Sequence, residues 1–205
     1  MEEEIKRAVE IIKNAENCIA LTEAGISKLD DCLPIVKSWK KRNVAVPLLM
    51  TKEFIASSLD AYPIEFFNMR NKYEVIYGEN VLEPLTFKPE DLRLQIEREL
   101  KGKILWLREG YLESGGSSRR VRELIGKSVT AFVAIFNALL FLKTGEAPRD
   151  KRETIKRMAE ACELDADVFE SCFAIREGDL KSGAGDIFKK YLAETRKMAD
   201  SVDKL

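Results

Sequence analysis

The sequence predicts an α+β protein in two parts, a small α/β domain over residues 1–85 and an antiparallel helical bundle over residues 86–205. Three observations carry this prediction. Helix-like and strand-like segments alternate up to about residue 85. After Pro84 the strand-like runs vanish. The remainder of the chain is a series of helix-period segments with short connections, for which antiparallel packing is the economical arrangement.

In the first part, Glu3 to Ala15 places Ile5, Ala8, Val9 and Ile12 on one helical face. Asn17 to Thr22, "NCIALT", is a short apolar run that reads as a strand. Ser27 is placed to cap a helix presenting Leu29, Cys32, Leu33, Val36 and Trp39. That helix ends in "KSWKKRN", where cations offset the helix dipole. "VAVPLLM", Val44 to Met50, reads as a second strand, with Pro47 restricting it to an edge or a bulge. Thr51 caps a short helix running to about Leu59. Ile64 to Met69 and Tyr73 to Tyr77 read as two further strands joined by a polar, basic turn.

In the second part, Leu92 to Glu113 carries Ile96, Leu100, Ile104, Leu107 and Tyr111 at helical spacing. "SGGSS", Ser114 to Ser118, breaks it. Arg119 to Lys143 is a helix with a wide apolar face, stopped at Gly145 with Pro148 beyond. Within it, Ser128 to Leu142 is the longest uncharged run, short of the roughly 20 residues that cross a bilayer. It reads as the central helix of the bundle, and no membrane association is expected. Asn137 sits inside that run, where a buried amide needs partners and can set helix register. Helices are expected at Lys151 to Cys162, Ala166 to Arg176 and Asp186 to Val202, with "KSGAGD" (Lys181 to Asp186) as punctuation and Ser182 or Asp186 as a cap.

Composition narrows the chemistry. Apolar residues make up 45% and charged residues 34% of the 205, with a formal net charge of -1, so no global basic field attracts nucleic acid. There is no histidine, which excludes Ser-His-Asp and Cys-His nucleophile systems and His-ligated metals. Cys18, Cys32, Cys162 and Cys172 lie far apart with no CxxC pair, the pattern of reduced, buried thiols. Met1-Glu2-Glu3-Glu4 is acidic where a secretory signal is basic. Both features point to the cytoplasm.

The stretch "LLMTKEFIASSLDAYPIEFFNMRNKYEVIYGENVLEPL" followed by "LRLQIERELKGKILWLREGYL" resembles an uncharacterised nucleotidyltransferase-like family, over residues 44–115. There a strand similar to "YPIEFF" precedes one similar to "EVIYGEN", which closes the palm of the fold. The resemblance implies a nucleotidyltransferase palm followed by a helical bundle. In active members a Gly-Ser turn holds the triphosphate, and two carboxylates on one strand plus a third on a later strand bind metal ions. Such oxygen ligands suit Mg²⁺, and two ions can stabilise both the attacking and the leaving oxygen.

This chain departs from that pattern. Between Asn17 and Asn43 there is "NCIALTEAGISKLDDCLPIV", with Gly25-Ile26-Ser27 where a Gly-Ser turn belongs. Asp30 and Asp31 are adjacent, so on a helix they diverge by about 100°. Their ordinary role is negative charge at a helix N-terminus. By position in "YPIEFF", Glu65 corresponds to the family's third acid and is the catalytic candidate; without partners it is a paired charge or a solvated strand residue.

The other candidates bind ligand. Arg93, Glu97 and Lys101 succeed each other at i, i+4 spacing on a helix that, by the resemblance, faces the cleft of the fold. Such a triplet is ordinarily a solvated face held by ion pairs. Arg70 and Lys72 stand in the expected hairpin turn, where they suit an anion or simply a charged tip. "SGGSSRR" places Ser117, Arg119 and Arg120 at a helix start, suited to a phosphate, although the ordinary explanation is a flexible hairpin between two long helices. Trp39 and Trp106 are expected in the core or lining the cleft.

The functional expectation is a degenerate nucleotidyltransferase-like protein that binds a nucleotide or other phosphate-bearing ligand in the cleft between its domains. Two alternatives stand beside it. One is an active transferase using Mg²⁺ on relocated acids drawn from Glu65, Asp30, Asp31 and Glu97. The other is a non-enzymatic helical module that pairs with a partner or, as a homodimer, with itself through the apolar face of Arg119 to Lys143.

Overall fold

The computed structural model describes residues 17–180 and 182–205; the expected helix Glu3 to Ala15 and Lys181 of "KSGAGD" lie outside them. The class is broadly α+β, mostly helical with one small sheet. Two compact units are present. One holds the described residues up to Leu59 together with Glu74–Leu85, and the other holds Asp60–Tyr73 and Thr86–Leu205.

The first unit is built on two parallel strands, β1 (Cys18–Leu21) and β2 (Leu48–Thr51), paired from Cys18↔Leu48 to Leu21↔Thr51. Parallel strands need a crossover, supplied by α1 (Glu23–Ile26) and α2 (Leu29–Lys40). Thr22 caps α1 by accepting from the Gly25 N–H at 3.1 Å. Ser27 ends α1 instead of capping α2, because its hydroxyl donates back to the Ala24 carbonyl. Asp30 and Asp31 lie in the first turn of α2, and Lys37 and Lys40 in its last. Both sets complement the dipole. The second strand begins after Pro47, four residues later than its apolar run suggests. Val44 turns away from the sheet, donating its N–H to the Trp39 carbonyl at 3.0 Å, and Pro47 has no N–H to donate. Thr51 ends β2 and caps α3 (Lys52–Ser57) by accepting from the Phe54 N–H at 3.0 Å.

Neither of the two later expected strands forms. Ile64 to Met69 lies within a helix, α4 (Pro63–Asn71), and Tyr73 to Tyr77 is irregular and largely exposed. A short aromatic run is ambiguous between strand and helix, and tertiary contacts decide. Pro63 at the first helical position favours the helix. The helix also places Ile64, Phe67 and Asn68 together, and Phe67 packs against Phe87 and Phe141 at ring-centroid distances of 5.8 and 4.8 Å. By its contacts this helix belongs to the second unit.

The second unit contains α5 (Pro89–Glu113), α6 (Ser118–Thr144), α7 (Lys151–Ala161), α8 (Ala166–Glu177) and α9 (Ala184–Val202). The central helix expected from the sequence is α6, which packs against α4, α5, α7, α8 and α9. Its buried side chains include Ile125, Val129, Phe132, Phe136 and Leu139. Among the described residues α6 is long and apolar enough to cross a membrane by length and composition, yet over half of its most apolar window is buried inside the protein. Helices α5 and α6 run antiparallel: Gly110 lies against Leu124, and Lys103 lies over Phe132. Gly145, at φ 75°, stops α6 in the left-handed conformation glycine favours. The last helix begins at Gly183, also left-handed, and neither Ser182 nor Asp186 caps it.

An aromatic cluster fills the centre. Phe136 meets Phe169 edge-on at 5.1 Å, and Phe132 meets Tyr191 at 5.5 Å. Tyr191 is fully buried, and its hydroxyl donates to Ser128 Oγ, which donates to the Ile125 carbonyl. The four cysteines are free; Cys172 is buried, whereas Cys18, expected to be buried, is exposed at the sheet.

Asn137 has the partners its position demands. Its carbonyl oxygen accepts from Thr154 Oγ1 at 2.8 Å, and its amide donates to Asn68 Oδ1 at 3.2 Å. Asn68 in turn donates to the Ile64 and Ala134 carbonyls. One chain of hydrogen bonds thus ties α4, α6 and α7. Asn137→Ala should lower unfolding stability by about 1–3 kcal/mol, since it removes the donor to Asn68 Oδ1 and breaks the link from α6 to Thr154. Denaturant titration checks this, and an unchanged midpoint would exclude the network as an anchor.

Candidate functional site

Glu65 is exposed in the first turn of α4, at a helix start that favours negative charge. Its Oε2 accepts from Gln95 Nε2 at 2.8 Å. Gln95, the only glutamine in the sequence, is buried on α5, and its Oε1 accepts from the Ile64 N–H at 2.8 Å. The α4 N-terminus has no side-chain cap of its own, so a residue 31 positions away satisfies it. Glu65 is therefore not a strand residue. Among the described residues no group of three or more His, Cys, Asp or Glu is placed to hold a metal ion.

Arg93, Glu97 and Lys101 are brought together, chiefly with each other. Arg93 donates to Glu97 at 2.9 Å, Lys101 donates to the other oxygen of Glu97, and Lys101 also pairs with Asp203 at 3.2 Å. The hydrogen bonds from Lys101 and Arg93 hold the Glu97 carboxyl below its ordinary range, and Glu97 with Asp203 raises Lys101. Arg70 lies 5.0 Å over the Phe87 ring. Lys72 ends α4, donating its backbone N–H to the Asn68 carbonyl. The expected hairpin tip does not exist, because its flanking strands do not form.

The glycine turn is wired internally. Ser114 is buried, donates to the Tyr111 carbonyl and accepts from the Gly116 N–H. Gly115 and Gly116 both have positive φ. Ser117 occupies the N-cap position of α6 without a side-chain cap bond. Arg119 faces Glu123 at 3.9 Å, and Arg120 donates to the Glu113 carbonyl at 3.4 Å. The arginines thus diverge along the helix instead of gathering at its start.

A concave site does exist along α5 and α6. An open groove of about 390 Å³ is lined by Arg98, Glu99, Gly102, Lys103, Trp106, Lys127, Ser128 and Ala131. Three cations face one acid, and Lys103 sits 3.5 Å from that acid, Glu99. Gly102 has open space where a side chain would stand, so the groove reaches the helix backbone. Trp106 is 43% exposed and also lines the continuing depression, where Arg120 and Lys127 lie among Glu109, Glu113 and Glu123. Within the first groove, where three cations outnumber Glu99, the indole suits a flat ring carrying an anionic group. Of the residues anticipated from sequence, Trp106 lines this groove and Arg120 only the depression beside it; Arg98, Lys103 and Lys127 were missed. The available signal was Lys127 interrupting an apolar helix opposite a Gly102–Trp106 face.

Comparison with known protein families, with curated proteins and with solved structures finds no match.

Two measurements check these assignments. Gln95→Ala should cost about 1–3 kcal/mol by stranding the buried Ile64 N–H; a calorimetric transition identical to the parent's would exclude the cap. Because the folded Glu97 pKa is lowered, its contribution is present above the unfolded value and is lost as pH falls through the folded one. The acid limb of the stability–pH curve should therefore be shallower in Glu97→Gln, and superimposable curves would refute the triplet.

Proposed function

We propose that this chain is a nucleotidyltransferase-like protein without transferase chemistry. It binds a nucleotide or another phosphate-bearing ligand in the α5–α6 groove. The observation that supports this reading is the gathering of Arg98, Lys103 and Lys127 around an exposed Trp106. The phosphate lies toward the cations and the base against the indole. The missing Gly-Ser turn and the absence, among the described residues, of an acidic metal cluster support the non-catalytic half. Lys127 is the residue on which affinity most depends: Lys103 is engaged by Glu99, whereas Lys127 lines both depressions.

Trp106 supplies the assay. In a Trp39→Phe background, which leaves Trp106 as the only indole, nucleoside triphosphates should quench its fluorescence saturably. Lys127→Ala should weaken binding about tenfold, equivalent to roughly 1.4 kcal/mol. No quenching at millimolar nucleotide would overturn the ligand reading. Transfer of a labelled nucleotidyl group to any acceptor in Mg²⁺ would overturn the non-catalytic one.

A further inference from the structure

The outward side of α5 carries a seam that meets the groove only at Arg98. Leu94, Arg98, Lys101, Leu105, Arg108 and Leu112 are spaced by 4, 3, 4, 3 and 4 residues, the alternation of coiled-coil core positions. The leucines are 56%, 65% and 78% exposed, while the opposite side of the helix buries Leu92, Ile96, Leu100 and Leu107. Single exposed leucines are ordinary on a protein surface. Three on one heptad line, with only cations between them over about 27 Å of helix, form a strip fit for another helix. Arg98 and Arg108 make no ion pair among the described residues, whereas Lys101 already has Glu97 and Asp203.

The charges select the occupant. A second copy would have to align the leucines. Antiparallel alignment, Leu94 opposite Leu112, sets Arg98 against Arg108. Parallel alignment sets each arginine against itself. Like charges at core layers disfavour both. A lipid surface calls for a wide apolar face, and this one is a single side chain across. The geometry points to a docking site for an acidic amphipathic helix of another protein. Its apolar side chains would meet Leu94, Leu105 and Leu112, and its carboxylates would meet Arg98 and Arg108. The α6 face that the sequence offered for association is consumed in the core instead.

The test is fluorescence anisotropy of the full chain with a labelled 21-residue helical peptide bearing leucine at core positions and glutamate beside them. A matched peptide carries lysine in place of glutamate. The acidic peptide should bind saturably, at least about tenfold more tightly than the basic one. Leu105→Glu should abolish binding, and Arg98→Glu with Arg108→Glu should reverse the preference while leaving the helical circular dichroism unchanged. Equal binding of both peptides, or retained binding by Leu105→Glu, overturns the proposal. So does a concentration-dependent dimer dispersed by Leu105→Glu, or Leu105-dependent binding to phosphatidylserine vesicles without peptide binding.

Discussion

The helical unit depends on burying one helix. α6 is too apolar to be stable facing water along most of its length, and each fully buried Val, Leu, Ile or Phe side chain contributes about 1.5–3 kcal/mol. Every other helix of the unit lies against it. This explains why the surrounding helices are amphipathic and heavily charged on their far sides, and why the connections between them are short. It also explains the composition of α6, which a bilayer would equally demand of a spanning helix.

Apolar burial is non-directional, so polar contacts choose the arrangement. Asn137, Thr154 and Asn68 fix α4 and α7 on the central helix. Gln95 fixes the start of α4 on α5. Tyr191 and Ser128 set the level of α9. Each of these groups is a liability when buried without its partner, which makes an arrangement that satisfies all of them preferable to its alternatives. Among the described residues no buried side-chain polar atom lacks a partner.

The same constraint leaves α5 with three sides of different chemistry. One is buried against α6 and α9. One, carrying Trp106 and the cations, borders the groove. The third is the leucine–arginine seam. A helix of 25 residues at one edge of a bundle can present all three, because 3.6-residue periodicity spreads them around the axis, with Arg98 at the boundary of groove and seam. Glu97 stands at the margin, held by Arg93 and Lys101.

From α5 onward the helix positions were legible in the sequence because of their apolar periods and of glycine stops such as Gly145 past α6, whereas the Asp150 and Asp165 caps were seen only in the structure. The two short strands and the Thr51 cap were legible for similar local reasons. "YPIEFF" was not. Six residues satisfy strand and helix alike, and the deciding contacts come from Gln95, Phe87 and Phe141, far along the chain. Glu65 went with its segment, so its neighbours were invisible until the helix was placed. The groove and the seam were likewise hidden, since each requires knowing which side of α5 faces α6. Local periodicity determined that the helices exist; only their packing decided which residues meet, because those contacts join positions that no sequence window contains.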